Sequence, residues 1–136
     1  GCTLWSNISE EVCKYINDFR MIPNMTYSKF TLLHKDHVNF IKNEIEKAKI
    51  DNKKVIILTH HAPLKKMSGK YQDSFLDSAY TTDLLNLFEN KNIIAFANGH
   101  VHSNVDLILN EIRCVSNAIG YSNENPGYND KVLITF

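Results

Sequence analysis

Ile93-Ile94-Ala95-Phe96-Ala97-Asn98-Gly99-His100-Val101-His102 is the stretch on which the fold turns. Its first five residues form an unbroken apolar run of the length expected for a strand buried on both faces. Two histidines follow, set two apart. In an extended segment side chains alternate between faces, so the imidazoles of His100 and His102 are expected to point the same way and converge on one metal centre. A second apolar run, Val55-Ile56-Ile57-Leu58-Thr59, ends in His60 and His61, and Ala62-Pro63 then stops the strand by removing a backbone donor. Four of the six histidines therefore sit at two strand ends. Neutral imidazole is the commonest nitrogen ligand for metals, and the carboxyl ends of strands in open α/β sheets are where ligands bind.

Outward from these strands the chain alternates helical and extended patterns, without repeats or low-complexity tracts. Thr26 is placed to cap a helix over residues 26–50, with Leu33, His37, Ile41, Ile45 and Ala48 on one face. His34 and His37 belong to that helix and read as packing or solvated groups, because no carboxylate motif accompanies them. Ser9 caps a shorter helix reaching Ile16. The polar stretch over residues 64–77 reads as a loop, whose Lys65, Lys66, Ser68, Lys70 and Tyr71 are suited either to solvent or to a phosphate. Thr81 is expected to start another short helix carrying Leu84, Leu85 and Phe88. Residues 105–109 and 112–115, turning at Asn110-Glu111, read as a hairpin, and residues 132–136 as a last strand. Strands crowd the end of the chain, which predicts an α/β fold with a mixed sheet.

The 136 residues suffice for one core, and positive and negative charges balance. That balance gives no electrostatic basis for nucleic acid or an anionic membrane as a bulk partner. The apolar runs are far too short to span a bilayer, and no signal peptide is visible. Cys2, Cys13 and Cys114 are odd in number and lack a CxxC spacing, which predicts reduced thiols in a cytoplasmic protein. Cys114 lies in a strand pattern with no activating neighbour, so it is not read as a nucleophile.

At the histidine motifs the chain resembles a known family. Thr59-His60-His61-Ala62-Pro63 and Gly99-His100-Val101-His102 are similar to the last two metal-binding motifs of the calcineurin-like metallophosphoesterases. The likeness extends to Gly1-Cys2-Thr3-Leu4-Trp5-Ser6, Asn17-Asp18-Phe19-Arg20, Ser78-Ala79-Tyr80 and Asn117-Ala118-Ile119-Gly120-Tyr121, and so runs nearly end to end. The family's earlier motifs, Asp-x-His, Gly-Asp and Gly-Asn-His, do not occur here. The resemblance thus implies the C-terminal half of a four-layer αββα sandwich with mixed sheets. Residues 1–136 would form a single partial domain, to be completed by an N-terminal half that this sequence does not contain.

The same resemblance implies hydrolysis of phosphate mono- or diesters at a two-metal centre. Its ligands here would be His60 and His100 on one metal and His102 on the other, with His61 replacing His60 if the first motif is offset. Asp and Asn from the absent motifs would complete and bridge the pair. Two cations ~3.5–4 Å apart lower the pKa of a shared water and stabilise charge on phosphoryl oxygens. The mixed nitrogen and oxygen donors suit manganese, iron or zinc rather than an oxygen-only cage for magnesium or calcium. The expected partner is a phosphoester substrate, and the tail loop is expected beside the site, with Asn117 or Tyr121 near it. Without the bridging carboxylate, the chain alone is expected to bind metal weakly, to turn over little, and to expose an adhesive apolar sheet face.

Two other readings bear on the same residues. The metallo-β-lactamase fold also uses histidines two apart, but its motif continues with Asp and His, whereas Ser103 and Asn104 follow here. A non-catalytic metallophosphoesterase fold serving as a protein-binding scaffold, as in one retromer subunit, is the alternative function. Retained upstream motifs distinguish an enzyme from a scaffold.

Overall fold

The computed structural model describes residues 1–124 and 127–133. Along the chain it forms α1 (Asp18–Met21), α2 (Tyr27–Ile50), β1 (Val55–Thr59), α3 (Asp77–Tyr80), β2 (Ile93–Asn98), β3 (Asn104–Leu109) and β4 (Ile112–Asn117). Single 3₁₀ turns cover Val12–Tyr15, Lys65–Met67, Gly69–Tyr71 and Leu85–Glu89.

The four strands make one sheet in the order β1-β2-β4-β3. β1, β2 and β4 run parallel, and β3 lies antiparallel on the outer side of β4, so the fold is α/β with a mixed sheet. Register aligns Thr59 with Asn98 and Asn98 with Ser116, which brings the carboxyl ends of the three parallel strands level. The N-terminal segment extends the sheet beyond β1: Cys2 bridges Thr59 in parallel, and its N–H donates to the Leu58 carbonyl at 3.0 Å. β3 and β4 form the expected hairpin. Asn110 and Glu111 both have positive φ (50° and 67°), the geometry of a two-residue type I′ turn whose twist matches that of the strands.

α2 owes its limits to its end residues. Thr26 stands in extended backbone and its hydroxyl accepts the Lys29 N–H at 3.2 Å, satisfying one of the first-turn donors. At the other end Asn52 takes φ 53°, Lys53 N–H reaches the Ala48 carbonyl at 2.7 Å, and Asn52 N–H reaches the Lys49 carbonyl at 3.2 Å. That pair of bonds is a Schellman stop, with Asn in the left-handed position that glycine usually fills. The helix buries Phe30, His34, Ile41 and Ile45. His34 and His37 serve packing: the His34 ring bonds the Trp5 carbonyl and His37 is half-buried.

The core lies between α2 and one sheet face. Ile41 and Ile45 join Ile57, Phe96 and Cys114, with Leu4, Met67 and Phe88 closing the edges. A smaller cluster surrounds Phe30, whose ring meets Trp5 at 4.8 Å and stacks on Phe19 at 5.2 Å. The other sheet face is open in part: Ala95 and Val115 at its centre are buried, but the larger side chains around them are not. Ile56 registers with Ala95, Ala95 with Arg113 and Arg113 with Ile108, so these residues share that face. Ile56 is 47% exposed, the neighbouring Leu58 54% and Ile108 73%. An Arg113–Asp106 ion pair at 2.7 Å crosses the same face.

Three local expectations need correction. Thr81 ends a helix rather than starting one: α3 stops at Tyr80, and the Thr81 hydroxyl donates to Asp77 Oδ1 at 3.1 Å. Thr82 N–H and Leu84 N–H are committed to the Ala62 and Pro63 carbonyls, so helical geometry resumes only as the 3₁₀ turn at Leu85. The segment after Ser9 is likewise only a 3₁₀ turn, with the Ser9 hydroxyl accepting the Val12 N–H at 3.4 Å. Of the last expected strand, Val132 and Leu133 are not in a strand, and residues 134–136 lie outside the described residues.

Candidate functional site

The level carboxyl ends of β1 and β2 place His60 and His61 beside His100. Ring centroids lie 4.8 Å apart for His60 and His100, 4.2 Å for His61 and His100, and 5.4 Å for His60 and His61. His60 and His61 N–H groups both donate to the Thr3 carbonyl, at 3.2 and 3.0 Å, which anchors this corner to the N-terminal segment. His61 is 2% exposed and its Nδ1 also faces the Thr3 carbonyl, at 3.3 Å, whereas His60 lies toward solvent.

The His-x-His segment is not extended, contrary to the expectation. β2 ends at Asn98, and His100 and His102 both have positive φ, 65° and 45°. Val101 N–H bonds back to the Gly99 carbonyl at 2.8 Å, closing a γ-turn around His100 of the rare positive-φ kind. The cause is Val101, which is fully buried in the core, so the chain must bend on both sides of it. His100 and His102 line one cavity through that double bend rather than through strand pleat. Such a conformation in a non-glycine residue costs about 1–3 kcal/mol and is characteristic of sites.

Burial keeps the rings neutral. His61 is pushed down to about 3, first by burial and then by the neighbouring His100. His100 falls to about 4 by burial, reinforced by His60, and His60 is lowered by burial with partial opposition from the Asp18 carboxylate. Neutral imidazoles keep the lone pair that a metal needs. Among the described residues, however, no three His, Cys, Asp or Glu side chains are grouped so that they could hold a metal ion.

A cavity of about 200 Å³ adjoins the rings, lined by His100, His102, Tyr71, Tyr80, Asp18 and Glu124 among others. Tyr80 stacks on Tyr71 at 3.6 Å and leans over His100 at 4.9 Å, and burial together with the Tyr71 hydrogen bond raises its phenol pKa. The stretch over residues 64–77 thus reaches the site through Tyr71. Gly69 fastens it there: its φ is +57°, and a Cβ would come within 2.3 Å of Ser103 Oγ. From the tail loop Tyr121 reaches the cavity and sits edge-on to His102 at 4.8 Å, whereas Asn117 turns away to bond Asn129. Sequence reasoning missed Tyr80, Asp18 and Glu124 as cavity residues. Asp18 and Tyr80 lie in Asn17-Asp18-Phe19-Arg20 and Ser78-Ala79-Tyr80, stretches already singled out above, whereas Glu124 offered no signal.

An uncharacterised protein of Acanthamoeba polyphaga mimivirus is 36% identical over 151 aligned residues, which cover 98% of this chain and 54% of the relative. The chain spans about half the length of the curated relative it matches. No protein-family model and no solved structure matches it. Among the described residues no helix is long and apolar enough to cross a membrane.

Proposed function

We propose that this chain is the C-terminal half of a metal-dependent phosphoesterase of calcineurin-like type. The observation that carries the reading is the gathering of neutral imidazoles from two strand-end motifs, His60-His61 and His100, beside a cavity that His102 also lines. His100 and His102 would hold the metals, together with the imidazole at the end of β1. The Thr3 carbonyl orients His61 as ligating histidines are commonly oriented, which favours it, while the more exposed His60 is the ligand that the unshifted motif implies. When bound, two divalent cations, manganese, iron or zinc, supply a nucleophile at neutral pH and stabilise charge on a phosphoryl group. The chain's own residues bind those cations, wall the cavity with Tyr71, Tyr80 and Tyr121, and bring Lys70 near its rim.

The partly open apolar sheet face and the half-length match support the four-layer sandwich, with a second half packed on Ile56, Leu58 and Ile108. The substrate is a phosphomonoester or diester, and the free thiols of Cys2, Cys13 and Cys114 support a cytoplasmic setting. The scaffold reading competes through one observation: among the described residues no three His, Cys, Asp or Glu side chains are grouped so that they could hold a metal ion. The test is elemental analysis of the intact protein, with both halves present, with assays on generic mono- and diesters with and without manganese. Stoichiometric metal and turnover lost in His100→Ala and His102→Ala are expected; a metal-free, inactive protein overturns the proposal in favour of the scaffold. Comparing His60→Ala with His61→Ala identifies the ligand from β1.

A further inference from the structure

His102 is the strand-end histidine that the ring cluster leaves aside, yet of those four it makes the shortest contact through its own ring nitrogen. Its Nδ1 lies 2.6 Å from Glu124 Oε2, a short contact of the charge-assisted kind, across 22 residues of sequence. The carboxylate is itself fixed. Tyr121 N–H donates to the same Oε2 at 2.9 Å, and the Lys70 ammonium sits 3.4 Å from Oε1. Tyr121 also sets its ring edge-on to the imidazole, at 81° between planes, so one turn of the tail loop restrains His102 through both its nitrogen and its face.

We propose that Glu124 is a positioning residue for His102, holding the ring as the Nδ1–H tautomer so that Nε2 carries the lone pair. An imidazole's tautomer is decided by the hydrogen bond its other nitrogen makes, and an anion on Nδ1 also increases the basicity of Nε2. The inference rests on the metal-centre reading for its purpose, but not for its geometry. It gives the tail loop a role in the site, because a loop with no metal-ligand motif then controls the ligand supplied by another.

The decisive measurement is nitrogen NMR of the His102 ring in the intact protein, with both halves present and metal removed, above neutral pH, for the wild type, Glu124→Ala and Glu124→Gln. The wild type should show a protonated Nδ1 and a bare Nε2. Glu124→Ala should release the ring to a mixture of tautomers, while Glu124→Gln, whose amide oxygen still accepts, should retain the wild-type pattern. Zinc titration of the same proteins should show affinity about 10–100-fold weaker in Glu124→Ala, with rescue in Glu124→Gln. Unchanged urea midpoints in both variants would show that the loss is not unfolding. A bare Nδ1 in the wild type, or a Glu124→Ala ring and zinc affinity like those of the wild type, overturns the proposal. A wild type that shows the Nδ1–H tautomer but binds no zinc defeats the metal reading instead and leaves the Glu124 assignment standing.

Discussion

His100 shows how two residues reach one cavity by a local geometry other than the one their spacing suggests. Two histidines two apart after an apolar run suggested strand alternation, and the rings do line one cavity, but through a γ-turn and a second left-handed residue. The sequence signal for the bend was Gly99 and the apolar Val101 between polar neighbours, which reads equally as strand alternation until the core claims Val101. The turn has a measurable consequence. His100→Ala and His100→Gly remove the same ring contacts with His60, His61 and Tyr80, so their difference isolates the backbone. Left-handed geometry costs an alanine about 1–2 kcal/mol, and the unfolded freedom of glycine returns about 0.4–1 kcal/mol of that. His100→Gly should therefore be the more stable of the two by about 0.5–1 kcal/mol in urea unfolding. An alanine variant equal to or firmer than the glycine variant would show that the bend carries no strain.

α2 and the β3–β4 hairpin were legible because each carries its own punctuation: Thr26 before the apolar period of the helix, and Asn110-Glu111 between two alternating runs. The elements around residues 64–90 were not. Their short helical turns are set by bonds to distant backbone, such as Thr82 N–H to the Ala62 carbonyl and Leu84 N–H to the Pro63 carbonyl, which no local propensity encodes. The cap on α2 can be weighed directly. Only the hydroxyl of Thr26 serves the Lys29 N–H, and that corner is exposed, so loss of the cap leaves no cavity behind. Thr26→Ala should destabilise the protein by about 1 kcal/mol in chemical denaturation, and Thr26→Ser should be nearly neutral. Equal losses in both variants would mean that the methyl group, not the hydrogen bond, matters there.

A sheet packed fully on one side only leaves a structural question that the sequence could pose but not answer. Apolar runs in β1 and β2 announced two buried faces, and the structure covers one of them with α2 while Ile56, Leu58 and Ile108 stand open on the other. Monomeric proteins rarely keep contiguous apolar patches of this kind unless another surface covers them. β3 stands at the sheet edge, with Ile108 and the Arg113–Asp106 pair facing outward, so the patch is apolar near β1 and interrupted by charge near β4. That gradient places the adhesive part on Ile56 and Leu58. Burying such a side chain is worth about 1.5–3 kcal/mol, enough across a few residues to drive association at ordinary working concentrations. Residues 1–136 alone should therefore sediment as dimers or larger species whose share rises with concentration. Leu58→Lys should shift them toward monomer without lowering the urea midpoint, because the residue makes no core contact to lose. Ile108→Lys should do less, since an ion pair already breaks the apolar surface beside it. A wild-type chain that sediments as a monomer and melts cooperatively would show that this face needs no cover, and would remove the support that the open face lends to the sandwich.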